Sequence, residues 1–199
     1  MCLGASRVEG NRPMFESFRY DLWTNLKRGG YSVDFIGSNY DNSDYVNYDF
    51  DRDHEGHKGY TSTRILKNIN NWISVSGAPD IVLFSSPLGN DILSKQDFNK
   101  GVNNIKSIIK IIHSHNNKSI IIIEQPATCS SDLMTDDLEN TFERLNKFVY
   151  ELAKSDERII SIDIYSGFKD VHLSDGVHYN KLGAGLVAER YYNALIKLL

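Results

Sequence analysis

Short runs rich in Ile, Val and Phe alternate along this chain with segments whose apolar residues recur at helical spacing, and that alternation admits few folds. The strand-like runs are residues 1–4, 32–36, 80–85, 119–124 and 159–164. Runs this short, without polar alternation, suit strands buried on both faces. Between them, Phe15, Phe18, Leu22 and Leu26 share one helical face. Ile65, Ile69, Trp72 and Ile73 share another, after a cap at Thr61 or Ser62. Phe98, Val102, Ile105, Ile109 and Ile112 repeat the pattern, as do Leu138, Phe142, Leu145, Val149 and Leu152. Leu182, Leu186, Leu195 and Leu198 close the chain. These stripes are read as core.

Strands alternating with helices predict an α/β protein: a three-layer α/β/α sandwich around a five-stranded parallel sheet, with the flavodoxin-like order 2-1-3-4-5. The 199 residues suit a single domain, 1–199, with no internal repeat and no Pro/Gly-rich linker. Ligands of such sheets bind beyond the carboxyl ends of the strands, near the switch between strands 1 and 3.

Composition excludes several functions. A net charge of -4 gives no electrostatic footprint for nucleic acid or for an anionic membrane. No apolar run approaches the roughly 18 residues of a membrane span. Two cysteines, Cys2 and Cys129, make no disulfide framework. The start shows no basic stretch followed by an apolar region, which points to the cytoplasm. The first motif's glycine arrives at position 4, leaving only three residues for the strand before it.

The carboxyl ends carry the chemistry. Strand 1 runs into Gly4-Ala5-Ser6, and strand 3 into Gly89-Asn90-Asp91. A long Tyr-, Asp- and Asn-rich segment over 40–60 ends in His57-Lys58-Gly59, and Asp175-Gly176-Val177-His178 follows strand 5. Acyl transfer needs these parts. A serine hydroxyl needs a base, here His178, and the imidazole needs a carboxylate, here Asp175, to fix its tautomer. The Ser6 and Gly59 N–H groups and the Asn90 side-chain amide are candidate donors to an oxyanion. Arg7, His57, Lys58 and Tyr60 are the candidate substrate-lining residues. Arg7 and Lys58 add cations at the mouth and suggest an anionic substrate. The Tyr-rich segment reads as a sugar-binding rim.

No metal and no cofactor is expected. His54-Glu55-Gly56-His57 has one residue between Glu and the second His where a zincin has two. Asp49, Asp51 and Asp53 alternate as in a calcium loop, but His54 and Tyr60 stand where that loop needs Gly and Glu.

The blocks Gly4-Ala5-Ser6, Gly59, Gly89-Asn90-Asp91 and Asp175-xx-His178 resemble the four sequence blocks of the SGNH (GDSL-like) hydrolase superfamily. Asp53-His54-Glu55-Gly56-His57-Lys58-Gly59, Phe18-Arg19-Tyr20-Asp21-Leu22-Trp23 and Asp34-Phe35-Ile36-Gly37-Ser38 resemble its acetyl xylan esterase branch, the third carbohydrate esterase family. The resemblance implies a metal-free serine esterase that removes acetyl groups from carbohydrate hydroxyls. It implies Ser6, Asp175 and His178 as triad, with Gly59 and Asn90 in the oxyanion hole. Ala5 departs from the family's aspartate before the serine. The expected partner is a small-molecule or saccharide ester. A lysophospholipase or thioesterase, an acetyltransferase, and a non-catalytic glycan-binding module are the alternative functions.

Overall fold

The computed structural model describes residues 1–43 and 49–199. Its strands are β1 (Cys2–Gly4), β2 (Asn39–Tyr40), β3 (Asp53–Gly56), β4 (Ile81–Phe84), β5 (Ile120–Gln125) and β6 (Ile159–Asp163). Its helices are α1 (Ser6–Glu9), α2 (Arg19–Arg28), α3 (Ser62–Ser76), α4 (Gly89–Leu93), α5 (Phe98–His115), α6 (Asp136–Ser155) and α7 (Lys181–Leu195), with a 3-10 turn at Asp170–His172.

The sheet order is β2-β3-β1-β4-β5-β6. Its parallel part, β3 to β6, keeps the 2-1-3-4-5 pattern. Side chains alternate between two cores. Val82, Phe84, Ile121 and Ile123 face Ile65, Ile69, Ile105, Ile112, Leu145 and Val149 of α3, α5 and α6. Leu83 and Ile122 face Leu22, Leu26, Val187 and Tyr191 of α2 and α7. Burial on both faces is why these strands read as continuous Ile/Val runs.

Two expectations need correction. The sheet has six strands, because β2 adds an antiparallel edge with Asn39 opposite His54 and Tyr40 opposite Asp53. The strand beside β1 is β3, whereas residues 32–36 form an extended connection. In that connection Phe35 is buried and its N–H donates to Asp51 Oδ2 at 2.7 Å. Gly37 then passes so near β3 that a Cβ there would lie 2.1 Å from the His54 carbonyl carbon.

β3 is a largely buried strand that carries polar residues, and its two buried polar side chains, His54 and Glu55, find partners. The Glu55 carboxylate, fully buried, accepts Ser38 N–H at 2.8 Å and Ser38 Oγ–H at 2.7 Å, and it meets His57 Nε2. His54 Nδ1 accepts Gly56 N–H at 3.0 Å, and burial pushes the His54 pKa down to about 3, so the ring is neutral. β1 and β3 end together at Gly4 and Gly56. The missing side chains let α1 pack against both ends, since a Cβ on Gly56 would sit 2.4 Å from Glu9 N.

α1 is anchored from below by Arg19, which is fully buried. Its guanidinium donates to Val8 O at 2.7 Å, to Glu9 O at 3.0 Å and to Asp41 Oδ2 at 2.6 Å. Burial pushes the Asp41 carboxyl up, but Arg19 and hydrogen bonds from Ser43 hold it below the usual aspartate value. Asp41 therefore adds stability above an unfolded pKa of about 3.9, and that stability is lost as pH falls through its lowered folded value. Asp41→Asn is expected to cost about 3 kcal/mol at neutral pH, because Arg19 keeps a buried charge without its counter-ion. The difference from wild type should shrink on acidification below about pH 4, and denaturant melts at both pH values measure it.

No helix among the described residues is long and apolar enough to cross a membrane. Among the same residues, no three His, Cys, Asp or Glu side chains gather as metal ligands. Residues 44–48 of the Asp-rich segment 41–53 lie outside the described residues.

Candidate active site

Ser6 opens α1 directly after β1, at the carboxyl edge of the sheet. Its Oγ lies 2.9 Å from His178 Nε2, and His178 Nδ1 lies 2.8 Å from Asp175 Oδ2. With Nδ1–H donating to the carboxylate, Nε2 presents its lone pair to the serine hydroxyl. The other oxygen, Asp175 Oδ1, accepts the N–H groups of Val177 and His178, both at 2.7 Å. Burial pushes the Asp175 carboxyl up, but these bonds outweigh it and leave the carboxyl below the usual aspartate value. Phe15 stacks on the His178 ring, with centroids 4.0 Å apart and planes 16° apart.

Beside Ser6 lies a cavity of about 30 Å³ walled by Asn90, Leu93, Ala127, Cys129 and Phe142. Asn90 Nδ2 donates to Tyr60 O at 2.8 Å. An amide nitrogen carries two hydrogens, so one remains for the cleft. The Ser6 N–H belongs to the first turn of α1, where amides have no partner within the helix. The loop after β3 is tied to the serine turn, because His57 N–H donates to Gly4 O at 3.0 Å and Lys58 N–H donates to Glu9 Oε2. Gly59 follows with φ +73°, a left-handed conformation open to glycine, and nothing stands within 4 Å of where its Cβ would be.

No protein-family model and no curated protein matches the sequence. Solved structures do match. A carbohydrate esterase family 3 protein from Talaromyces cellulolyticus superposes with a TM-score of 0.84 at 26% identity, over 100% of this chain and 96% of that one. The chain is similar to carbohydrate esterase family 3 and, with it, to the SGNH hydrolases. An acetyl esterase mutant with acetate ion matches at 25% identity and TM-score 0.83, again over 100% and 96% of the two chains. A member of the lipolytic G-D-S-L family from Veillonella parvula shares the fold at 19% identity and TM-score 0.67, over 98% of this chain and 97% of that one. Together these neighbours support a carboxylic ester hydrolase.

Within this SGNH frame, the residues proposed to line the substrate part company. Lys58 is exposed, and its Nζ lies 5.9 Å from the ring centroid of Phe15, the residue stacked on His178. Tyr60 is half-buried and offers its carbonyl to Asn90. His57 is enclosed by protein. Its ring stacks on Trp72 at 3.9 Å, and its two nitrogens meet Glu55 and Asn39. Arg7 lines the cleft without offering a cation to the mouth, because its guanidinium is turned onto the backbone carbonyls of Val177, Ala127 and Thr128. Phe15 is the site residue that periodicity hid. It continues the spacing of Phe18 and Leu22 yet precedes α2 and belongs to the His178 ring.

Proposed function

We propose that the chain is a serine esterase that removes acetyl groups from hydroxyls of a carbohydrate or glycoconjugate, acting as one domain over residues 1–199. The observation that carries the reading is the Ser6–His178–Asp175 chain of hydrogen bonds, which opens on a small cavity of about 30 Å³. Ser6 Oγ attacks the ester carbon while His178 Nε2 takes its proton, and Asp175 stabilises the imidazolium. The carbonyl oxygen gains charge among the Ser6 and Gly59 N–H groups and the free hydrogen of Asn90 Nδ2. Collapse breaks the bond to the alcohol oxygen, which takes the proton from His178. Water then enters by the same route and releases acetate. The two esterase neighbours at 25% identity and above favour this substrate class, one being named an acetyl esterase.

The walls of the cavity make a specific demand. Leu93 and Phe142 are among its walls, and in a cavity of about 30 Å³ a long acyl chain would have to displace them or remain in solvent. Acetyl esters are therefore expected to exceed octanoyl esters by at least about tenfold in kcat/KM. Steady-state kinetics on a matched pair of nitrophenyl esters measures the ratio. Equal or faster octanoyl turnover would move the reading to a lipid esterase or thioesterase.

A further inference from the structure

We infer that Arg7 is a positioning residue that holds the loop carrying His178 and Asp175 against the helix carrying Ser6. The inference rests on the reading of Ser6 and His178 as nucleophile and base, and it assigns the spacing of that pair to a third side chain.

Arg7 follows Ser6 in α1 and is only 7% exposed. Its Nε and Nη2 both donate to Val177 O, at 3.0 and 2.8 Å. Nη1 donates to Ala127 O at 2.8 Å and to Ser86 Oγ at 3.3 Å, and Nη2 donates to Thr128 O at 2.9 Å. The guanidinium also lies 4.8 Å from the ring centroid of Tyr179. Val177 and Tyr179 are the two neighbours of His178 in the chain. One side chain, next to the nucleophile, thus grips the base from both sides and joins it to the loops after β4 and β5.

The grip has support behind it. Glu124, fully buried, accepts Ser86 N–H at 2.7 Å and the Tyr191 hydroxyl at 2.8 Å. Ser86 is thereby fixed in a left-handed conformation, φ +45°, between Glu124 and Arg7. The bonds inside the His178 loop, such as Ser174 N–H to His178 O at 2.9 Å, shape that loop but do not orient it on α1. A planar fork of five donors reaches carbonyls on separate segments at once, whereas a lysine ammonium is a compact point charge with three donors.

The test compares Arg7→Ala and Arg7→Lys with wild type, each as the full chain, in two arms. In the first, hydrolysis of an activated acetyl ester is normalised to folded protein. Arg7→Ala is expected to lower kcat by roughly 10- to 100-fold with KM little changed, the scale expected of a misplaced base. Added guanidinium ion should restore part of the loss, and Arg7→Lys should fall between the two. The second arm needs no turnover. By NMR, Ser6→Ala should shift the His178 Cε1–H resonance in the wild-type background and no longer do so in Arg7→Ala, where base and hydroxyl have separated. Arg7→Lys carries both arms if Arg7→Ala does not fold. A merely structural arginine would lower the melting temperature while leaving kcat per folded molecule and the Ser6-dependent shift intact, and that result overturns the inference. A wild type that hydrolyses no ester, yet shows the Ser6-dependent shift only when Arg7 is present, would sink the esterase reading and uphold the positioning role.

Discussion

Replacement of Ser6 by alanine is expected to lower kcat on an activated acetyl ester by on the order of 10⁴ or more, with folding unchanged. The first half follows from geometry. The Ser6 hydroxyl is the group that His178 Nε2 faces at 2.9 Å, and the imidazole is fixed in turn by Asp175. Without the hydroxyl, water must attack unaided, and only the oxyanion donors and binding remain, a residue of catalysis still well above solution. The second half follows because the hydroxyl's partner is the His178 ring, which Phe15 and Asp175 continue to hold. Melting temperature and kcat on one preparation check both halves, and a serine-directed phosphonate should label wild type and leave the variant unlabelled. An alanine variant retaining most of its activity would remove Ser6 from the reaction.

The parts of this fold legible in the sequence are those whose strands hold an uninterrupted apolar run. Ile120–Gln125 lies in the sheet interior, with Ile121 and Ile123 in one core and Ile122 in the other, so it can be read without knowing its neighbours. β3 could not be read that way. His54 and Glu55 look like loop residues because the groups that satisfy them, on Ser38, Gly56 and His57, are brought in by the fold itself. Val33, Phe35 and Ile36 drew the strand assignment by composition alone, although the connection they occupy has its amide satisfied by Asp51 and no β ladder.

The site divides along the same line. That Ser6, His178 and Asp175 meet was legible because their short motifs follow strands whose ends the topology carries to one edge. Arg7 was misread because its partners lie 120 and 170 residues away, at Ala127 and Val177. A cation beside a nucleophile suggests an anionic substrate until the carbonyls that take its donors are located. Phe15 was misread because helical spacing continued by coincidence past the start of α2 at Arg19.

The Asn90 side chain carries the remaining prediction, and its single hydrogen bond cuts two ways. Donation to Tyr60 O at 2.8 Å is what a turn residue would do, tying α4 to the loop after β3. The same bond holds the amide and leaves a second hydrogen on Nδ2, and Asn90 lines the cavity beside Ser6. A donor to an oxygen that becomes negative only during attack stabilises the transition state more than the bound ester. Asn90→Ala is therefore expected to lower kcat by roughly 10²–10³, about 3–4 kcal/mol, with KM little changed. Loss of the Tyr60 bond alone should cost about 1 kcal/mol of stability. Asn90→Asp separates the effects further, because it keeps the volume but puts a carboxylate where the oxyanion forms, and it should be no more active than the alanine variant. Measured together, kcat and melting temperature discriminate: a destabilised Asn90→Ala enzyme with near-normal kcat per folded molecule would leave Ser6 and Gly59 as the donors.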